Sequence, residues 1–209
     1  HYIDWKTPGN NVFHVTEEYS VLRSGLKEHY RPDIVLFVNG IPLCVIECKR
    51  PDIKDPLEQA ISQHLRNQQE DGIRNLYAMA QLVLSITVNE GSYATTGTPE
   101  KFWAKWQEYF KNTDGSINKE KETHFKQKLA QLKNIPLSKE VKEKMFNERF
   151  KYVRTYFEAL DKEQVKVTPQ DEYIYCLCQK ERLLDFAYDF TLFDNGAKKN
   201  SALSAVLCH

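Results

Sequence analysis

The sequence predicts an α/β protein: a mixed β-sheet flanked by helices, followed by a mainly helical C-terminal part. Three observations carry this. Arg31 to Pro51, RPDIVLFVNGIPLCVIECKRP, is two apolar runs joined across Asn39-Gly40, the pattern of a β-hairpin. A helix signal follows at Asp55-Pro56, and residues 81–88, QLVLSITV, form a further β-rich run. Beyond Pro99, segments rich in Lys, Glu and Gln suggest helices.

Taken in order, Val12, Phe13, Val15, Tyr19 and Val21 supply a strand or two around the polar Thr16-Glu17-Glu18. The hairpin then runs from about Asp33 to Lys49. Asp55 reads as a helix N-cap, with Pro56 in the first helical position and Glu58 three residues after the cap. Leu57, Ile61, His64 and Leu65 mark that helix's buried stripe to about Asp71. The run 81–88 is a strand, and Asn89-Glu90-Gly91 turns into SYATTGT. The segment KFWAKWQEYFK reads as a helix with Phe102, Trp106 and Tyr109 on one face. Asn112–Asn118 is a loop, one or more helices extend to about Leu160, and a last helix falls near Glu181–Phe190. The expected division is a core over residues 1–110 and a helical extension over 111–209. The closing SALSAVLCH shows no readable pattern.

The chain's 209 residues can bury a real core, and its 29 basic and 29 acidic residues leave no net charge. A stand-alone nucleic-acid binder is more often basic, so any DNA affinity must come from a local patch, a metal or parts beyond this chain. Five cysteines, an odd number with no C-x-x-C spacing, argue against disulfides and a zinc site. A reduced, cytoplasmic setting is expected, with no membrane-spanning segment.

The hairpin carries the chemistry. Asp33 follows Pro32 at the start of its first strand, and Glu47 and Lys49 close the second as Glu-x-Lys. Residues two apart on a strand share a face, so Glu47 and Lys49 point the same way. Two carboxylates beside an ammonium suit phosphodiester hydrolysis. Mg²⁺ takes carboxylate oxygens, and a lysine can orient or deprotonate the attacking water. The bland alternative is a set of strand-end charges in solvent or in salt bridges. Against it, both faces of these strands look buried, and a buried carboxylate needs a partner or a metal. Glu-x-Lys alone is weak, since Glu140-Val141-Lys142 repeats it without a preceding Pro-Asp hairpin.

The turn decides whether Asp33 joins them. With a two-residue Asn39-Gly40 loop, Val38 opposes Ile41, and Asp33 and Glu47 fall on opposite faces. A three-residue loop, Val38-Asn39-Gly40 with Gly40 left-handed and a bulge, sets Asp33 diagonal to Glu47 on one face. The bulged loop is therefore expected.

At these residues the chain resembles the PD-(D/E)xK nucleases. More narrowly it is similar to the N-terminal region of type I restriction enzyme R subunits. The likeness runs upstream through IDWKTPGNNVFHVTEEYSV and downstream over QLVLSITVNEGSYATTGTPEKFWAKW and ERLLDFAYDFTLFDNGAKK; Lys111–Tyr175 is its weakest part. The resemblance implies the restriction-endonuclease-like fold and Mg²⁺-dependent cleavage of double-stranded DNA. It assigns metal binding to Asp33 and Glu47 and the catalytic lysine role to Lys49. In that family an ATP-driven motor in the same polypeptide moves DNA past modification (methyltransferase) and specificity subunits. No G-x-x-x-x-G-K-[ST] loop occurs here, so ATP is expected only in an absent motor and the chain reads as a fragment.

Relatives often carry Gln-x-x-x-Tyr on the helix after Glu-x-Lys. Gln59 and Gln63 share a helix face here, with no tyrosine in the second position. Gln59 could contact DNA or a water near the metal, against a solvated helix face. Glu18 is the candidate for an upstream acid, against Glu17 and a plain surface charge, and Arg31 and Arg50 are candidates for DNA phosphate. His14, His64 and the aromatics Phe102, Trp103, Trp106 and Tyr109 read as packing or surface residues. The competing functions are a repair or recombination nuclease of the same fold and a non-catalytic docking module for motor and partner subunits.

Overall fold

A computed structural model describes residues 2–146, 151–189, 191–194 and 204–207. It has two compact units, His1–Gln107 with Tyr173–His209 and Glu108–Glu172. The first contains a five-stranded sheet: β1 (Phe13–Glu17), β4 (Ile34–Val38), β5 (Ile41–Cys48), β6 (Leu82–Ile86) and β7 (Gly91–Ala94), in the order β1-β4-β5-β6-β7. Only β5 and β6 pair in parallel. The link between them holds α1 (Pro56–Asn67) and α2 (Arg74–Tyr77), as a parallel crossover requires. Between β1 and β4 lies a short ribbon, β2 (Val21–Leu22) and β3 (His29–Tyr30). The mixed α/β class expected from the sequence is the one observed.

The sheet is covered on both faces, so its strands are apolar throughout rather than alternating. One cluster joins Val35, Val45 and Val83 to Ile73, Leu76 and Tyr77 on the α1–α2 side. The other joins Leu36, Cys44, Ile46 and Leu84 to Tyr173 and Leu177 of α6 (Pro169–Leu177) and Leu183 and Leu184 of α7 (Lys180–Tyr188). Gly72 closes the turn after α1. A Cβ there would lie 2.4 Å from the Asn67 carbonyl oxygen, and the absence of one lets the Ile73 N–H donate to that oxygen. The second unit contains α3 (Lys119–Lys133), α4 (Lys139–Met145) and α5 (Arg154–Leu160). Asn118 and Ser138 cap the first two by accepting from the Lys121 and Val141 amides.

Four expectations are corrected. Residues 101–111 are not a helix. After a short 3-10 turn at Glu100–Phe102, Ala104 exchanges backbone hydrogen bonds with Tyr93 at the edge of β7. Trp103 then packs with the α1–α2 cluster and Trp106 with the other, so pairing at a sheet edge overrides the helical spacing. Asp55 does not cap α1: its backbone is left-handed, φ 47°, and its side chain makes no capping bond. The helix still begins at Pro56, whose ring presets the helical φ. The α6 helix and the β8 (Thr191–Asp194) and β9 (Ser204–Leu207) pair were not anticipated, and Phe190 lies outside the described residues. The fourth correction, the hairpin turn, belongs to the site. Among the described residues, no helix is long and apolar enough to cross a membrane.

Candidate active site

The hairpin turns through Asn39 (φ 50°) and Gly40 (φ 82°), both left-handed, with Val38 opposite Ile41. This is the two-residue turn of Asn-Gly hairpins, not the three-residue loop expected. The register is corrected further along: Phe37 faces Pro42, yet Leu36 faces Cys44, so Leu43 is an extra residue in β5. The bulge shifts the pairing by one, and from there Ile34 faces Ile46. Continued one step, the register sets Asp33 directly across from Glu47. The parity needed for a shared face is met, by a bulge within the strand.

Beyond the bulge, Val45 faces the α1–α2 side, and Glu47 and Lys49 follow it at two-residue steps. Glu47 is wholly buried. Burial raises its pKa to about 8, and the adjoining Asp33 carboxylate, both as a charge and as a hydrogen-bond partner, pushes the same way; Lys49 and Gln63 act in opposition. Asp33 is fixed by its backbone and its side chain. Its carbonyl accepts from the Glu18 N–H at 2.9 Å, and its Oδ2 accepts from the Cys48 N–H at 2.6 Å. Lys49 Nζ donates to Gln63 Oε1 at 2.6 Å, and Gln63 Nε2 donates to Glu47 Oε2 at 2.6 Å. Gln63 therefore links the ammonium to the carboxylate. Asn67, one helical turn on, donates to Glu47 Oε1 at 3.4 Å.

Of the sequence candidates, the fold brings Asp33, Glu47, Lys49 and Gln63 together. Gln59 is exposed and donates to the Lys54 carbonyl at 2.6 Å. Glu18 is exposed and left-handed, φ 46°, and meets Asp33 through its backbone. Arg31 is exposed, and Arg50 pairs with Asp52 at 3.1 Å in solvent. Asn67 and Ser85 were missed. Ser85 sits beside Glu47 in the β5–β6 register; its Oγ and the Oδ1 of Asn67 are buried without a hydrogen-bond partner. The legible signal was a polar residue on a buried stripe, Ala60, His64 and Asn67 recurring at spacings of four and three.

Two adjoining carboxylates, one deprived of water, form a donor set for a hard divalent cation. No cluster of three or more His, Cys, Asp or Glu side chains suited to a metal occurs among the described residues. Mg²⁺ fits such a pair, because it keeps several waters and needs only one or two carboxylates.

These features define an α/β protein whose central hairpin opens on a cluster of two acids, a lysine and two amides, of which Glu47 and Asn67 are buried. Residues 1–102 match the family model described as type I restriction enzyme R protein N terminus, and this segment belongs to that family. The narrower resemblance, to the N-terminal region of type I restriction enzyme R subunits, is thereby borne out. Two curated relatives, both from Methanocaldococcus jannaschii, agree. The "Putative type I restriction enzyme MjaIXP endonuclease subunit" is 29% identical over 111 residues, 50% of this chain and 10% of the relative. The "Putative type I restriction enzyme MjaVIIIP endonuclease subunit" is 38% identical over 69 residues, 32% of this chain and 6% of the relative. The matched regions thus span a tenth or less of the relatives' length.

Proposed function

We propose that Asp33, Glu47 and Lys49 are the DNA-cleaving centre of a type I restriction enzyme R subunit, hydrolysing phosphodiester bonds of double-stranded DNA with Mg²⁺. The observation that carries this reading is the meeting of the Asp33 and Glu47 carboxyls at a buried position, with Lys49 tied to Glu47 through one glutamine. A fold does not retain a buried acid beside a second acid for stability, because each raises the cost of ionising the other. A cation removes that conflict.

Asp33 and Glu47 would hold the ion. When bound, Mg²⁺ supplies neutralisation of charge on the phosphoryl oxygens and a lower pKa for water. Lys49 would stand beside the attacking water, orienting it as the ammonium or, once it has lost its own proton, taking one from it as the amine. As the ammonium it would stabilise the charge that develops in the transition state. Gln63 holds the Lys49 ammonium at a fixed distance from Glu47. Arg31 and Arg50, both exposed, are the candidates for DNA phosphates, Arg50 by giving up its pair with Asp52. The chain's zero net charge gives little independent affinity for DNA. Cutting is therefore assigned to the complete assembly, with an ATP-driven motor and with modification and specificity subunits.

The test is plasmid linearisation by that assembly with Mg²⁺ and ATP, comparing wild type with Glu47→Ala and Lys49→Ala. Both variants should keep ATP hydrolysis and lose cutting. Cleavage at the wild-type rate by either one removes the site from consideration.

A further inference from the structure

The Glu47 carboxylate is held by more than its immediate neighbours. Asn67 donates to Glu47 Oε1 at 3.4 Å, and the same amide, as a hydrogen-bond donor, draws the Tyr77 pKa down while the Glu47 charge pushes it up. The Tyr77 hydroxyl lies 2.8 Å from His64 Nδ1, and His64 Nε2 lies 2.8 Å from the Leu84 carbonyl oxygen. His64, Asn67 and Tyr77 are all buried, His64 completely. Tyr77 reaches this place because the chain folds back tightly at Gly72 into α2.

The direction of every hydrogen bond in this line follows from its far end. A backbone carbonyl only accepts, so His64 Nε2 carries the proton. Burial lowers the pKa of His64 to about 4, so the ring is neutral and Nδ1 has a lone pair. Tyr77 must then donate to Nδ1, and its oxygen is left as an acceptor. Asn67 meets two acceptors, the Tyr77 oxygen and Glu47 Oε1, and its amide nitrogen has two hydrogens to give. The reversed amide would set Oδ1 against both oxygens. Asn67 is thus oriented by groups two and three bonds along the line, and it can only donate to Glu47.

We infer that Leu84, His64, Tyr77 and Asn67 form a one-way donor relay, anchored on the β6 backbone, that positions the Glu47 carboxylate for its cation. The inference rests on the reading of Glu47 as a metal ligand given above. Asn67, Tyr77 and His64 are positioning residues: they act through Glu47, and ligand orientation by such partners is worth about 10- to 100-fold in metal affinity. Tyr77 comes from outside α1, so the relay also ties the crossover connection to the site.

Two measurements on the 209-residue chain test it. The first is the ¹⁵N–¹H spectrum of the His64 ring, without metal. It should show the neutral Nε2–H tautomer, with the Nδ1 signal shifting in Tyr77→Phe as its donor is lost; an Nδ1–H tautomer overturns the relay. The second is the affinity for Mn²⁺, used as a probe for Mg²⁺, by calorimetry. It should fall about tenfold in both Tyr77→Phe and Asn67→Leu, with circular dichroism unchanged, and be lost in Glu47→Ala. In the complete assembly, the Mg²⁺ needed for half-maximal cutting should rise in Tyr77→Phe, and excess Mg²⁺ should restore the rate. Unchanged Mn²⁺ affinity in both relay variants, with loss in Glu47→Ala, overturns the relay alone. Wild-type affinity in Glu47→Ala overturns the metal reading and with it this role for the relay, whatever the tautomer.

Discussion

The two ends of the β4–β5 hairpin are built from the same strands and treat polar groups in opposite ways. At the closed end Asn39 is matched on every side. Its Oδ1 accepts from the Val12 N–H at 2.7 Å, and its Nδ2 donates to the Tyr2 carbonyl at 2.9 Å and to Asn11 Oδ1 at 2.8 Å. At the open end two carboxyls adjoin, one wholly buried, with Asn67 Oδ1 and Ser85 Oγ unpartnered nearby. A satisfied polar network fixes a turn. A cluster with unbalanced charge and orphaned oxygens costs stability, which is why the open end is the one proposed to bind a cation.

The largest effects should separate the ends by activity. In the complete assembly, Glu47→Gln should reduce DNA cutting to background, and Lys49→Ala should lower it by about 10²–10⁴. Neither should unfold the chain, because Glu47→Gln replaces a buried acid with a neutral amide of the same size. Asn39→Ala should leave the cutting rate at 25 °C unchanged. Loss of cutting in Asn39→Ala, in protein shown to be folded by circular dichroism, would dissolve the contrast.

A second contrast appears in stability against pH without metal. Glu47 titrates near 8 when folded, against about 4.5 for an ordinary glutamate, so the folded state holds the extra proton between those values. Its contribution is complete below 4.5 and is lost as pH rises through 8, at up to about 1.4 kcal/mol per pH unit. His64 has the opposite sign: depressed from 6.5 to about 4, it makes stability rise across that interval. The two oppose each other below pH 6.5. Above it Glu47 acts unopposed, and stability should fall by roughly 2 kcal/mol between pH 6.5 and 8. Urea unfolding at fixed pH values measures this. Glu47→Gln should flatten the fall, and added Mg²⁺ should reduce it.

Much of the open end was legible in the sequence, because a strand's two-residue period forces Glu47 and Lys49 onto one face whatever surrounds them. The convergence of Asp33 was legible only as a requirement. Its means, a bulge at Leu43, left no local signal, since Pro42-Leu43-Cys44 reads as continuous apolar strand and the extra residue is settled by packing on both faces. The same limit explains the segment after Pro99. Trp103 and Trp106 have helical spacing, yet the open edge of β7 captures Ala104, and the two rings go to opposite faces of the sheet. Asn67 escaped notice because one amide on a helix stripe looks like an imperfection until the partner strand is known.

At the closed end the measure is stability. Asn39→Ala removes one side-chain acceptor and two donated bonds and sets alanine in a left-handed conformation. Net worths of about 1 kcal/mol per hydrogen bond, reduced by water replacing some of them, predict a loss of about 3 kcal/mol in urea unfolding. Asn39→Gly keeps the backbone conformation but not the bonds, and should recover part of the loss. Full recovery by glycine would mean that the turn, and not the clasp to Tyr2 and Asn11, is what Asn39 serves.

The smallest contrast lies within one helix. Gln63 bridges Lys49 and Glu47, whereas Gln59, one turn earlier, donates only to the Lys54 carbonyl. Gln63→Leu should slow cutting about tenfold, since it frees the ammonium and strips one donor from Glu47. It should also extend the fall in metal-free stability to higher pH, because losing that donor raises the Glu47 pKa further. Gln59→Ala should stay within about 0.5 kcal/mol in stability and leave cutting unchanged. If Gln59→Ala instead weakens binding of the assembly to DNA as salt is raised, with the cutting step intact, that face of α1 touches the duplex. The two glutamines would then divide the work, one on the substrate and one on the catalytic groups.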